Sequence, residues 1–201
     1  MRLIDAEQIL LTLNQPVLQT RDVSACLNIP HAQASKILER LVKAGRFVRL
    51  MRGKWATTTQ IDPLILPEYL TAPFPSYVSL QSALFFHGMI SQIPHTIYAV
   101  SLARTRQYST KFGTISIHHL QPDFFFGFEI IGQVKMATPE KALIDVLYLT
   151  PAKSKLFKSL PEIEFPASFN RKKAEAIINQ IKSSRIKTLV QNRLELLLTA
   201  S

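Results

Sequence analysis

The residues able to do acid–base, metal or nucleophilic chemistry are few and poorly spaced for it. His118 and His119 fall in residues 113–120, which alternate as a strand. Adjacent strand residues point to opposite faces, so each reads as a core or surface histidine and the pair does not easily share one metal. His87 stands alone at the end of a helical segment. Asp123, Glu129, Glu140 and Asp145, with Lys141, are the residue types that hold catalytic magnesium. A restriction-type centre wants an acid, then acid-x-Lys on a neighbouring strand. Here Glu140 and Lys141 are adjacent and fall at a helix start, where the helix dipole already accounts for an acid. A metal-dependent nuclease is therefore the weaker alternative. Cys26 is the single cysteine and is expected to be buried in a helix, with no partner for a disulfide or a zinc knuckle. The chain has no glycine-rich phosphate loop and no Gly-x-Ser-x-Gly. No catalytic residue, metal or cofactor is expected from these residue types and spacings.

The side chains with a clear binding chemistry are basic. Gln33, Lys36, Arg40 and Lys43 recur at helical spacing, opposite Ala34, Ile37, Leu38, Leu41 and Val42. Arg49, Arg52 and Lys54 follow on two short apolar runs around Gly53. A helix fits the DNA major groove, where polar side chains reach base edges, and a basic hairpin beside it suits phosphate. Arg52, at the hairpin tip, also suits a narrow minor groove. The recognition set is thus Gln33, Lys36, Arg40 and Lys43, and the wing set is Arg49, Arg52 and Lys54.

The elements that must position these residues are legible in outline. Residues 6–13 read as a helix with Ile9, Leu10 and Leu13 inward, ended by Asn14, Gln15 and Pro16. Thr20 is expected to cap a second helix carrying Asp22, Val23, Cys26 and Leu27. Pro30 starts the third helix, residues 31–44, and Gly45 stops it. Residues 47–50 and 54–57 read as strands around a turn whose glycine can take positive φ. Two short helices, a longer one and a basic hairpin make a winged helix-turn-helix.

Charge supports this division. Residues 1–60 carry nine basic and four acidic side chains, residues 61–150 five and six, and the rest ten and four. The total is 24 against 14, a net +10, which favours polyanionic partners. Pro63, Pro67, Pro73 and Pro75 mark a linker over residues 61–75. Acids early in the chain argue against a secretory signal, and no apolar run is long enough for a membrane span. The expected location is the cytoplasm, with no membrane partner.

Residues 76–201 read as a second domain. Residues 76–88 carry a helical pattern of Tyr77, Leu80 and Leu84, with Ala83 and Phe85 beside it. Strands are expected over 96–102, 113–120 and 134–137, with Arg104, Arg106 and Lys111 on a polar connection. Phe124 to Phe128 pack on the sheet, and Thr138-Pro139 opens a helix. Two more helices lie within residues 170–198. Residues 69–103 contain no Lys, Arg, Asp or Glu and read as buried core. The class is α+β: an N-terminal winged helix-turn-helix, then an α/β domain with a small mixed sheet covered by helices.

At this point the chain resembles the AbiEi-type antitoxins, the regulator half of bacterial abortive-infection toxin–antitoxin pairs. The resemblance is carried by Arg46-Phe47-Val48-Arg49 and Arg52-Gly53-Lys54-Trp55, and more specifically by residues 77–88, Ile93-Pro94 and Lys111-Phe112-Gly113-Thr114. It continues through His118-His119-Leu120 and ends in Ala137-Thr138-Pro139-Glu140-Lys141-Ala142-Leu143-Ile144-Asp145. The resemblance implies a repressor that binds inverted repeats in its own promoter through Lys36, Arg40, Arg49, Arg52 and Lys54. It also implies neutralisation of a nucleotidyltransferase-like toxin of type IV, without a stable complex, through the C-terminal domain. A stand-alone winged-helix regulator or adaptor is the other reading of the same architecture.

Overall fold

The computed structural model describes residues 2–150 and 162–200. The chain divides into two compact units, Met1–Pro63 with Ser109–Gly113, and Leu64–Tyr108 with Thr114–Ser201.

In the first unit the order is α1 (Leu3–Leu11), β1 (Val17–Gln19), α2 (Thr20–Cys26), α3 (His31–Lys43), β2 (Val48–Met51) and β3 (Lys54–Ala56). The α3 stripe of Ala34, Ile37, Leu38 and Leu41 is buried against Ala6, Leu10, Leu18, Val23, Phe47 and Trp55. Val42 is half-buried at the edge of that stripe. Pro30 caps α3 one residue before its first turn. At the other end Gly45 adopts φ +71°. The Arg46 N–H then donates to Leu41 O and the Gly45 N–H to Val42 O, each at 3.0 Å, a Schellman closure only a left-handed residue permits.

Three local expectations change. Helix α1 starts earlier and buries Ala6 and Leu10, while Ile9 and Leu13 are 40% and 36% exposed. Thr20 is the first residue of α2 and does not cap it. The Gln19 N–H donates to Asp22 Oδ2 at 3.0 Å, and the Thr20 hydroxyl accepts the Trp55 indole N–H at 2.9 Å. Cys26 is half-buried. The strand β1 was not legible: its three residues pair antiparallel with β3, Leu18 opposite Trp55, and complete a sheet in the order β1-β3-β2.

The second unit begins inside the expected linker. A 3-10 turn spans Pro63–Ile65 and α4 runs Leu66–Thr71, with Pro67 in the first turn, where its missing N–H costs nothing. Then follow β4 (Ser76–Val78), α5 (Leu80–Phe86), β5 (Thr96–Ser101), β6 (Arg106–Thr110) and β7 (Gly113–His119). After them come β8 (Phe128–Ile131), β9 (Val134–Ala137), α6 (Pro139–Leu149), α7 (Arg171–Asn179) and α8 (Ser184–Ala200). The six strands form one mixed sheet in the order β6-β7-β5-β4-β9-β8. Strand β4 is antiparallel to β5 and parallel to β9, and β5 is parallel to β7. Helix α5 packs on β5 and α6, and α6 packs on α7 and α8. The fold is therefore α+β, with a mixed sheet flanked by helices, as the sequence implies.

Residues 76–88 are not one helix. Tyr77 sits in β4, and the helix begins at Leu80, which takes φ +56°. The connection holding Arg106 is the strand β6. The uncharged stretch supplies β4, α5 and β5, and Tyr77, Leu80, Ala83, Leu84, Ala99 and Val100 are all buried. Lys153, Lys155 and Lys158, part of the C-terminal positive charge, lie outside the described residues. Among the described residues, no helix is long and apolar enough to cross a membrane.

Candidate nucleic-acid interface

The inward stripe of α3 fixes what faces outward. With Ala34, Ile37, Leu38 and Leu41 buried, Gln33, Lys36, Arg40 and Lys43 are all exposed on the opposite side. Among the described residues none of the three cations makes an ion pair with an acid. At about 1.5 Å per residue the set spans roughly 15 Å, comparable with the width of a major groove. Arg40 and Lys43 also lie in the last turn, where the helix dipole favours cations.

The wing is built from β2, β3 and the turn between them. Gly53 takes φ +78° at the turn, and its carbonyl accepts the Thr20 N–H at 3.1 Å. The buried Trp55–Thr20 hydrogen bond lies one residue along β3. The wing is thus tied by two hydrogen bonds to the start of α2. On its open side Arg49 is exposed, with its guanidinium carbon 5.4 Å from the centroid of the Trp55 ring. Stacking of this kind holds a guanidinium in place while leaving its donors free. Arg52 is exposed at the tip.

Lys54 does not share that exposure. It pairs with Gln19 in the sheet and is only 9% exposed. Burial, and secondly the positive charge of Arg21, push its ammonium below the usual lysine range. Lys54, assigned to the wing set from the sequence, is therefore a largely buried lysine, unlike Arg49 and Arg52. Arg21 is the basic residue that the sequence reading passed over. It is exposed on α2 and makes a 3.5 Å ion pair with Asp22. It lies outside the dense basic run, and only the fold brings it near Lys54, at the turn end of the wing.

The residues considered for catalysis do not converge. Asp123 pairs with Lys182 on the surface, and Glu129 is exposed on β8. Glu140 is buried, and its Oε1 accepts the Asn170 N–H at 2.8 Å. Asp145 is fully buried: it is bonded to Lys141 through Oδ1, and its Oδ2 accepts the Tyr77 hydroxyl at 3.0 Å and the Ser79 hydroxyl at 2.8 Å. The Lys141 ammonium also donates to Phe124 O at 3.0 Å and lies 3.7 Å from the centroid of the Phe124 ring. Burial pushes the Asp145 carboxyl up, the Lys141 ammonium down and the Tyr77 phenol well up. Every group in this cluster is sealed and paired, so it can pin β4, α5 and α6 together but cannot receive a substrate.

The histidines fall as expected: His118 is buried and His119 exposed. His118 is bonded to Ser116 Oγ at 3.0 Å, and burial lowers its pKa. His87 closes α5 and is bonded to the carbonyl of Ala137 at 2.7 Å. Among the described residues no three His, Cys, Asp or Glu side chains converge in a way that could hold a metal ion. No protein-family model matches the chain, and no curated protein matches it in sequence.

Proposed function

We propose that the chain is a sequence-specific double-stranded-DNA-binding transcriptional repressor, acting in the cytoplasm by binding and not by catalysis. The observation that carries this reading is the outer face of α3. Gln33, Lys36, Arg40 and Lys43 stand exposed in one row, next in the chain to a wing carrying exposed Arg49 and Arg52. Gln33 and Arg40 supply directional hydrogen bonds to base edges. Lys36, Lys43, Arg49 and Arg52 supply charge for phosphate. The resemblance of residues 77–88 and 137–145 to AbiEi-type antitoxins extends the reading. On it, the operator is an inverted repeat in the chain's own promoter, and the second unit counters a nucleotidyltransferase-like toxin without a stable complex.

Fluorescence anisotropy with the native upstream duplex tests the DNA part. Binding is expected to prefer that duplex over a scrambled one. It is also expected to weaken with salt by about 0.9 in log–log slope per neutralised phosphate. A flat salt response, or equal affinity for both duplexes, refutes it.

A further inference from the structure

Helix α8 carries an outer face that is left exposed among the described residues. Toward the core, α8 buries Val190 and Leu194. Away from it Ser184, Arg185, Thr188, Leu189, Asn192 and Arg193 form an open, nearly flat face of the helix. Leu196, one turn further on, is 68% exposed. Arg185, Leu189, Asn192 and Leu196 follow one another at intervals of four, three and four. That spacing is the a/d seam of helix-on-helix packing, with leucine at alternate seam positions and a central asparagine. Arg185 opens the seam and Arg193 lies beside it, so the face is cationic. Arg185 and Arg193 make no ion pair among the described residues, and the acid next to the face, Glu195, is occupied by Arg171 at 2.6 Å.

We infer that this seam is a docking surface for an acidic amphipathic helix of a partner protein, with leucine-type residues in the seam and Glu or Asp flanking it. Charge selects among the occupants. A second copy of this chain would set one cationic face against another. Residues 151–161 carry Lys153, Lys155 and Lys158 with no acid, so their sign is also wrong. A nucleic-acid backbone would satisfy the arginines but leave Leu189 and Leu196 with nothing to pack against. An acidic helix satisfies both, in the manner of helices paired along a zipper seam. The inference is independent of the DNA reading, because it uses none of the residues of α3 or the wing.

The test uses the full-length chain and a fluorescein-labelled three-heptad peptide with Leu at a and d and Glu at e and g. A matched peptide carries Lys at e and g. The Glu peptide is expected to bind at least about tenfold tighter than the Lys peptide, with salt weakening it. The double change Arg185→Glu with Arg193→Glu is expected to invert that preference. Leu196→Ser, at a site too exposed to disturb the fold, is expected to weaken the Glu peptide about threefold or more with unchanged circular dichroism. Equal affinity for both peptides, or indifference to Leu196→Ser, overturns the inference. So does displacement of the peptide by a short DNA duplex, which would make the face a nucleic-acid surface. Sedimentation showing a dimer abolished by Leu196→Ser overturns it in favour of self-association.

Discussion

At the scale of single residues, two kinds of side chain separate cleanly: those held by the fold and those left exposed by it. Arg40 and Arg52 are exposed and make no ion pair among the described residues, and their positions predict different losses. Arg40→Ala in the last turn of α3 is expected to cost about 1–3 kcal/mol of discrimination between operator and scrambled duplex. Arg52→Ala at the wing tip is expected to weaken both duplexes alike and to lower the salt slope by about 0.9. Anisotropy over a salt series checks both, and equal losses from the two changes on every duplex refute the division. Lys141 is held. Removing it leaves the Asp145 carboxyl buried with only the Tyr77 and Ser79 hydroxyls. Lys141→Met is expected to destabilise the fold by about 3–5 kcal/mol, read by urea unfolding at pH 7. The sign of its pH dependence follows from Asp145, whose folded pKa is raised by burial and is held down by Lys141. A carboxyl raised in the fold favours the protonated folded state, so stability falls as pH rises from the ordinary carboxylate value through the folded one. Without the ammonium that window widens upward. The stability gap between the variant and the wild type should therefore narrow from pH 7 to pH 5, and a constant gap would mean that Asp145 is not the group responsible.

At the scale of elements, the hinge between what the sequence reveals and what it hides is the length of the local signal. Helix α3 is legible to within a residue because a thirteen-residue stripe, Pro30 and Gly45 all agree. Strand β1 has three residues and acquires meaning only from β3, which is more than thirty residues away. The break between β4 and α5 is hidden for another reason. No glycine or proline marks it, and Leu80 itself takes the left-handed conformation, at a cost of order 1–3 kcal/mol. What holds it is tertiary: the Ser79 N–H donates to Tyr98 O at 3.1 Å, and its hydroxyl donates to Asp145. The open row on α3 was legible because periodicity alone puts it there, whereas the burial of Lys54 and the approach of Arg21 depend on sheet pairing. The same pairing makes a prediction about the wing. Thr20→Val keeps the shape of the side chain but removes the acceptor of the buried Trp55 N–H. The loss is expected to be about 1–3 kcal/mol of stability, with duplex binding weakened less than by Arg52→Ala. Thermal unfolding and anisotropy on the same sample check it, and an unchanged Tm would mean that the indole finds another acceptor.

At the scale of the whole molecule, the charge split and the two compact units predict separable activities, and the structure says where to cut. A boundary after residue 68 would break α4, whose Leu66, Leu70 and Thr71 are buried in the second unit. The two units divide between Pro63 and Leu64, so the cut there opens only the short 3-10 turn and leaves α4 whole. The fragment 1–63 keeps α1 to α3, all three strands of the small sheet and the core around Trp55. It lacks residues 109–113, which group with it in the intact chain. A core of this size supplies roughly 3–5 kcal/mol at best, so the fragment is expected to fold with a lowered Tm and to hold operator weakly. Residues 64–201 keep the six-stranded sheet and the buried Tyr77–Ser79–Lys141–Asp145 cluster, and are expected not to bind operator. If the gene beside this one encodes a nucleotidyltransferase-like toxin, coexpression separates the roles: residues 64–201 should restore growth at least in part, and residues 1–63 should not. Growth restored in full by residues 1–63 would place neutralisation on the DNA-binding unit. Operator binding by residues 64–201 alone would remove the α3 face from its assigned role.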